Sequence, residues 1–289
     1  MGRPKVRTAI FPIAGLGTRL LPATKAVPKE LLPVLDTPLL QFALDEAREA
    51  GVERMVFVIH PSKSAIERYV RPDVGLAQRL QSRGKGALAA GLMAACPDPI
   101  STDIVFTTQR EPLGLGHAVQ CARRHALPGP VAVILPDDLI IGSPGCLAQM
   151  ITAYDPCAAG HLVAAAEVPP EAVSAYGILA PSGRRGRMVP ARGVVEKPAP
   201  GQAPSDLAVI GRYVLDPSVF GALADLAPGA GGEIQLTDAI ATSAARVGLA
   251  GFRFEGARYD CGSASGLLAA ALARARSLET AAQGPKAAA

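Results

Sequence analysis

Tryptophan is absent from the chain, and only seven Phe and five Tyr are spread over its 289 residues. Proteins that grip nucleic acid stack bases on aromatic side chains set in a concentrated basic surface. That platform is missing here. The charge is dilute too, because 29 basic and 25 acidic residues leave a net +4, dispersed rather than gathered in runs. A nucleic-acid partner is therefore not expected. Cysteine is scarce. Cys96, Cys121, Cys146, Cys157 and Cys261 are odd in number and none forms Cys-x-x-Cys, which argues against a disulfide framework or a structural zinc site. No apolar run reaches membrane-spanning length, and the N-terminal stretch carries no signal-peptide core. A soluble, cytoplasmic protein with no membrane partner is expected.

Apolar residues, by contrast, make up 49% of the chain, enough to fill a sizeable core. The whole of 1–289 reads as a single domain in two halves, about 6–150 and about 151–278. An Ala-rich tail over 279–289 is expected to be disordered. The first half alternates strands and helices. Thr8–Ala14, Met55–Ile59, Ile104–Thr108 and Val131–Leu135 are short apolar runs that read as buried strands. Leu39–Ala47 has helical spacing and stops at Gly51. Ser62 is the expected cap of a helix to about Tyr69, and a further helix is expected over His117–His125. Between Pro72 and Pro99, Gly75, Gly84, Gly86 and Gly91 interrupt the pattern, giving a partly helical excursion.

Such alternation predicts an α/β fold with a doubly wound, Rossmann-like sheet and helices on both faces. The second half makes the sheet mixed. Leu162–Val168, Ile178–Ala180, Gly193–Lys197 and Ala208–Leu215 are strands between Gly- and Pro-rich turns, followed by a helix from Gly232 to Val247. Phe252–Glu255 and Arg258–Asp260 are expected to close the sheet, and Ser263 to cap a last helix ending near Leu278.

The stretch with most chemistry is Ala14-Gly-Leu-Gly-Thr-Arg19, continuing through Lys25 to Pro28-Lys-Glu30. A strand running into closely spaced glycines lets backbone N–H groups approach an anion. Alone, Gly-x-Gly is an ordinary turn. With Arg19, Lys25 and Lys29 in a loop stiffened by Pro22, Pro28 and Pro33, it reads as a polyphosphate cradle. In doubly wound sheets ligands lie beyond the carboxyl ends of the strands, so Gly15, Gln109 and Asp137, each following its strand, can share one crevice.

Asp137 and Asp260 are candidate ligands for Mg²⁺, which commonly takes one or two carboxylates plus phosphate oxygens. Alternatively Asp137 caps a turn and Asp260 caps the last helix, and spacing alone leaves both readings standing. Asp138 reads as a structural partner in a turn. Gln109 and Gly114 suit a base edge, though an isolated Gln after a strand is also ordinary polar surface. His117 reads as a helix-start residue. Glu196-Lys197 suits sugar hydroxyls and a phosphate, or else an exposed ion pair.

Taken together, Ala14–Arg19, Pro28-Lys-Glu30, Glu111-Pro-Leu-Gly-Leu-Gly-His-Ala118, Leu135-Pro-Asp-Asp-Leu-Ile140, Val195-Glu-Lys-Pro198, Gly229–Asp238 and Tyr259-Asp-Cys-Gly262 form an ordered set. In that order the chain resembles the bacterial UTP–glucose-1-phosphate uridylyltransferases of the sugar nucleotidyltransferase superfamily, over roughly Thr8 to Leu278. The resemblance implies that UTP and glucose 1-phosphate give UDP-glucose and pyrophosphate with Mg²⁺. The first half becomes nucleotide-binding and the second sugar-binding. It implies uracil on Ala14, Gly15, Gln109 and Gly114, and phosphates on Gly17, Thr18, Arg19 and Lys29. Asp137 and Asp260 hold the metal, Gly177 and Glu196 meet the sugar, Lys197 the sugar phosphate, and Gly211 borders the sugar pocket. A homodimer or homotetramer is implied as well.

Two segments depart from the family pattern: His60-Pro-Ser-Lys63 replaces a Thr-Gly-Arg stretch, and Thr107-Thr108 stands where Val-Arg is common. The alternatives are a dTTP-using thymidylyltransferase and a non-catalytic regulatory paralogue. The first differs at Leu113–His117 and Pro136–Asp138. The second would lose one of Asp137, Asp260, Lys29 or Lys197, all of which are present.

Overall fold

The computed structural model describes residues 5–183, 186–199, 201–229 and 232–282. β1 (Thr8–Pro12) leads into a basic loop of short 3-10 turns at Thr18–Leu20, Ala23–Lys25 and Lys29–Leu31. A small ribbon, β2 (Pro33–Val34) and β3 (Thr37–Pro38), precedes α1 (Leu39–Glu49). Then come β4 (Arg54–Ile59), α2 (Ser64–Val70), α3 (Val74–Ser82), α4 (Gly86–Ala95) and β5 (Asp103–Thr108). α5 (Gly114–Cys121), β6 (Val131–Ile134), β7 (Asp138–Ile141), α6 (Cys146–Ala153) and β8 (His161–Glu167) follow. The remainder is β9 (Gly177–Pro181), β10 (Met188–Glu196), β11 (Leu207–Leu215), α7 (Ser218–Asp225), α8 (Leu236–Val247), β12 (Leu249–Arg253), β13 (Ala257–Asp260) and α9 (Ala264–Ala282).

Among the described residues nine strands form one mixed sheet in the order β5-β4-β1-β6-β11-β8-β12-β10-β9. β1 runs parallel to β4 and β6, in register Thr8↔Arg54 and Thr8↔Val131, and β4 parallel to β5. β11 is antiparallel to both its neighbours, while β12 runs parallel to β8, so β8 and β12 share the sense of the first-half strands and β11 and β10 run against it. Because side chains alternate along a strand, β1 feeds two cores. Phe11 and Ile13 pack with Phe57, Leu44 and Met150 on the α1 and α6 side, and Ile10 packs with Val56, Val119, Val133 and Ile240 on the α5 and α8 side. Phe11, Phe57 and Phe106 stack across three strands at 4.7 and 5.1 Å. Covered on both faces, the central strands need apolar residues at every position.

Several boundaries differ from the sequence expectation, each for a local reason. α2 starts at Ser64, not Ser62, because the Ser62 hydroxyl bonds to His60 Nδ1 at 2.8 Å and Lys63 turns inward. Of the glycines read as interruptions, Gly75, Gly86 and Gly91 lie inside α3 and α4; Gly84 alone breaks the segment, at φ +73°. Asp73 caps α3 by accepting from the Leu76 N–H at 2.8 Å. α5 begins three residues early, at Gly114, and a separate 3-10 turn covers Arg123–His125. α8 begins at Leu236 rather than Gly232. β12 ends at Arg253, short of Glu255. β13 does not close the main sheet but pairs antiparallel with β7 as a separate ribbon, so Asp138 opens a strand rather than forming a turn. The last helix continues past Leu278 to Ala282, against the expected disorder there; residues 283–289 lie outside the described residues.

A fully buried histidine gives the fold a measurable pH dependence. The hydroxyl of Ser243 donates to Ala239 O, so His161 Nε2–H must donate to Ser243 Oγ, 2.8 Å away, while Nδ1 accepts from the Asp216 N–H. Burial, with Arg246 adding to it and Asp216 opposing, pushes His161 down to about 4. A depressed folded pKa means the unfolded chain binds the proton first. Stability is thus complete above about pH 6.5 and lost towards pH 4, by up to about 3 kcal/mol. Melting curves from pH 7 to pH 4 should show this slope, and His161→Gln should flatten it. Equal slopes in the two proteins would reject the assignment.

Candidate active site

β1, β5 and β6 are parallel and end on the same side of the sheet, so the loops that follow them meet there. They border a cavity of about 660 Å³. Of the residues singled out in the sequence, Ala14, Gly15, Thr18, Arg19, Lys29, Gln109, Gly114, Asp137, Gly177, Glu196, Lys197, Gly211 and Asp260 line it. Gly17, expected against the phosphates, does not. It sits behind the loop at φ +70°, where its carbonyl accepts from the Thr24 hydroxyl at 2.8 Å and from the Leu20 N–H. A Cβ there would be strained and would stand 3.1 Å from Thr24 Cγ2.

Lys29 and Asp137, 108 residues apart, form an ion pair at 2.5 Å on the cavity wall, each with its side chain 19% exposed. Burial disfavours both charges. For Lys29 this is outweighed by Asp137 and then Glu30, which hold its pKa above the ordinary value; for Asp137 the Lys29 charge and hydrogen bond hold it below. Directly behind, Glu30 and Lys63 make a buried pair at 2.8 and 3.0 Å. Burial dominates there, raising Glu30 and lowering Lys63. This gives the atypical His60–Lys63 stretch a structural role, since its lysine anchors the basic loop.

The β7–β13 ribbon brings the aspartates together. Asp260 pairs in register with Asp138, and the Cys261 N–H donates to Asp137 O at 2.8 Å. Asp138 is fully engaged, accepting from Arg258 Nε at 2.5 Å and from the Gly211 N–H at 2.9 Å. Gly211 must lack a side chain, because a Cβ would come within 2.7 Å of Asp138 Cβ and 2.8 Å of Leu135 Cβ. Asp260 stays more open, with Arg19 Nη1 at 4.0 Å. Among the described residues no cluster of three or more His, Cys, Asp or Glu side chains is placed to hold a metal.

Beyond the end of β5, on the same side of the sheet, the Leu113–His117 segment locks onto Glu233-Ile234. The Ile234 N–H donates to Leu113 O and the Gly116 N–H to Ile234 O, both at 2.8 Å. A Cβ on Gly116 would meet Ile234 O at 2.7 Å. The contact joins two glycine-bearing motifs that lie far apart in sequence. Gln109, 4% exposed, donates from Nε2 to Gly114 O at 3.1 Å.

Also in the lining, Thr237 donates to Glu196 Oε2 at 2.9 Å, and Lys197 Nζ lies 3.4 Å from Glu196 Oε1. Lys197 has φ +43°, unusual for a side-chain-bearing residue, and its N–H is held by Tyr176 O at 2.9 Å. Gly177 packs against Thr237 and Glu196, where a Cβ would come within 2.8 Å of Thr237 Cγ2. Arg258 stacks on the Tyr176 ring at 5.0 Å. Arg258, Tyr176, Tyr213 and Thr237 line the cavity without having been assigned roles from sequence. Arg258 stands two residues before Asp260 and Thr237 inside the Gly229–Asp238 motif, the nearest available signal for either.

The Nucleotidyl transferase family model matches residues 9–277. The chain is 43% identical over 258 residues to a UTP–glucose-1-phosphate uridylyltransferase of Komagataeibacter xylinus, covering 89% of this chain and 90% of that one. It is 42% identical over 268 residues to the enzyme of the same name from Bacillus subtilis strain 168, covering 93% and 90%. A UTP-bound UDP-glucose pyrophosphorylase from Acinetobacter baumannii superposes with a TM-score of 0.84 at 37% identity, covering 97% and 95%. With its mixed sheet, its crevice beyond the strand ends and the family match spanning nearly its whole length, the chain belongs to the nucleotidyl transferase family.

Proposed function

We infer that the chain transfers a uridylyl group from UTP to glucose 1-phosphate, releasing pyrophosphate and forming UDP-glucose. The observation that carries this reading is one cavity lined together by the basic loop, Gln109, Glu196 and Lys197, with the Lys29–Asp137 ion pair on its wall. Ala14, Gly15, Gln109 and Gly114 receive the uracil. Thr18, Arg19 and Lys29 meet the triphosphate and the departing pyrophosphate, with Gly17 shaping the loop beneath. Lys197 neutralises the sugar phosphate, Glu196 and Gly177 meet the glucose hydroxyls, and Gly211 borders that pocket.

A phosphate monoester has a second pKa near 6, so glucose 1-phosphate is mostly dianionic at neutral pH and needs no general base. Its oxygen attacks the α-phosphorus of UTP in line with the departing pyrophosphate. The protein's task is to bring two anions together and stabilise the charge on the leaving group. Fixed cations do this with little rearrangement, and the Asp137 bond fixes the Lys29 ammonium before substrate arrives. Burial, with Asp260, Asp137 and Asp138 around it, pushes the Cys261 thiol up to about 12. Two carboxylates on adjoining strand ends suit Mg²⁺, which Asp137 and Asp260 would hold and which would neutralise phosphate oxygens.

Among the described residues no helix is long and apolar enough to cross a membrane. We place the protein in the cytoplasm as a homodimer or homotetramer. α4 supports self-association, because it carries no charge yet leaves Leu88 and Met93 exposed. Light scattering reads the assembly.

Pyrophosphate release from glucose 1-phosphate tests the reaction. UTP should be the best substrate. One methyl group separates thymine from uracil, so dTTP should follow at about 10–200-fold lower kcat/KM. CTP, GTP and ATP should be poorer still. A dTTP rate equal to the UTP rate would overturn the choice of nucleotide.

A further inference from the structure

Gln109 can present either end of its amide to a base, and the two ends read opposite hydrogen-bond patterns. Its surroundings decide which. Nε2 lies 3.1 Å from Gly114 O and 3.0 Å from His117 Nδ1. A carbonyl oxygen only accepts, so the amide NH₂ must face it, and the second N–H points at the imidazole. His117 Nδ1 must then be an acceptor. A neutral imidazole with an acceptor at Nδ1 carries its proton on Nε2, which faces Cys121 Sγ at 3.7 Å. Burial raises the Cys121 pKa, keeping it a thiol and a weak acceptor. Both amide protons of Gln109 are thus consumed by the protein.

The other end of the amide is left over. Gln109 lines the cavity, and its Oε1 has no protein hydrogen bond among the described residues, yet it is not sealed from solvent. The site therefore offers the base an acceptor at this position. Uracil has an N–H donor at N3, where cytosine has a lone pair. We propose that His117 is a positioning residue for nucleotide selection, its neutral Nδ1 and Gly114 O together holding the Gln109 amide with Oε1 towards the base. His117 touches no substrate atom in this proposal. It acts through Gln109, and the idea rests on the uridylyl reading of the site.

Asparagine carries its carbonyl oxygen close to where Nδ1 stands in histidine, whereas leucine has no acceptor. His117→Leu leaves the amide held on one side only. Losing one neutral hydrogen bond of this kind corresponds to about 3–10-fold. KM for UTP should rise by that factor with kcat little changed, the pattern of lost uniform binding. The UTP-over-CTP ratio should fall in step, and His117→Asn should restore both. Thermal melts accompany each variant; if His117→Leu does not fold, His117→Gln, whose amide sits at the Nε2 position, takes its place.

Equal losses in the Asn and Leu variants would show that His117 matters for another reason and overturn the proposal. So would unchanged KM and selectivity in His117→Leu. Wild-type protein is assayed first with UTP and glucose 1-phosphate, and calorimetric UDP-glucose binding runs beside it on all variants. No turnover but binding that weakens in Leu and recovers in Asn would remove the catalytic reading and keep the positioning role. Neither turnover nor binding would remove both.

Discussion

Asp137→Ala is expected to lower kcat for the UTP reaction by about 10²–10³-fold, the usual cost of removing one preorganised charged group from a polar transition state. Two roles are lost together. Asp137 is the counter-charge that holds the Lys29 ammonium on the cavity wall, and with Asp260 it is the carboxylate proposed for Mg²⁺. Without it, burial of Lys29 is opposed mainly by Glu30, which is itself committed to Lys63. The Lys29 pKa then falls and its ammonium is free to swing. Asp137→Asn keeps the shape and can accept one hydrogen bond, so it should melt close to wild type while remaining strongly impaired. That separates charge from packing. Lys29→Met combined with Asp137→Ala should cost less than the sum of the single changes, as for residues acting as a unit. Turnover of Asp137→Ala within about threefold of wild type would remove Asp137 from the machinery.

Much of the fold was legible because its central strands are sandwiched. Thr8–Ala14, Met55–Ile59 and Val131–Leu135 are apolar on both faces, a pattern that few other environments tolerate. Short, half-buried β13 carried no such signal, and its pairing with β7 depends on tertiary context. Glycine misled in α3 and α4, since Gly75, Gly86 and Gly91 adopt helical geometry and only Gly84 needs positive φ. Ser62 looked like a cap, but His60 captured its hydroxyl.

The site followed the same logic. Motifs directly after strands could be assigned to one crevice because parallel strands deliver their ends to one side. What stayed hidden were the contacts between distant side chains. The Lys29–Asp137 pair spans 108 residues, and the grip of Leu113–Gly116 on Ile234 more than that. No periodicity encodes either contact. That the left-handed backbone of Gly17 serves Thr24 is likewise something sequence spacing does not show.

The same kind of hidden contact yields the largest expected loss of stability. Arg212, 1% exposed, lies beneath the turn that carries Asp137. Nε and Nη2 bind the Glu46 carboxylate at 2.8–3.0 Å, and Nη1 donates to Leu135 O, Asp138 O and Gly211 O at 2.9–3.0 Å. Glu46 in turn accepts from the Leu147 N–H at 2.8 Å, tying α1 to α6. Arg212→Met leaves a buried carboxylate uncompensated and removes the donor shared by three carbonyls, a loss of about 3–5 kcal/mol. For a chain of this size that lowers Tm by roughly 10 °C. Lysine should not rescue it, since its three donors radiate from one point whereas the guanidinium spreads its N–H groups over two sides. Glu46→Leu added to Arg212→Met removes the orphan charge, so Tm should recover in part. Turnover should not, because the Leu135–Asp138 turn still lacks its donor and Asp137 is no longer held against Lys29. Recovery of stability without activity would mark the guanidinium as what positions the turn. Recovery of both would reduce the pair to packing, and a single variant melting within about 2 °C of wild type would deny it either role.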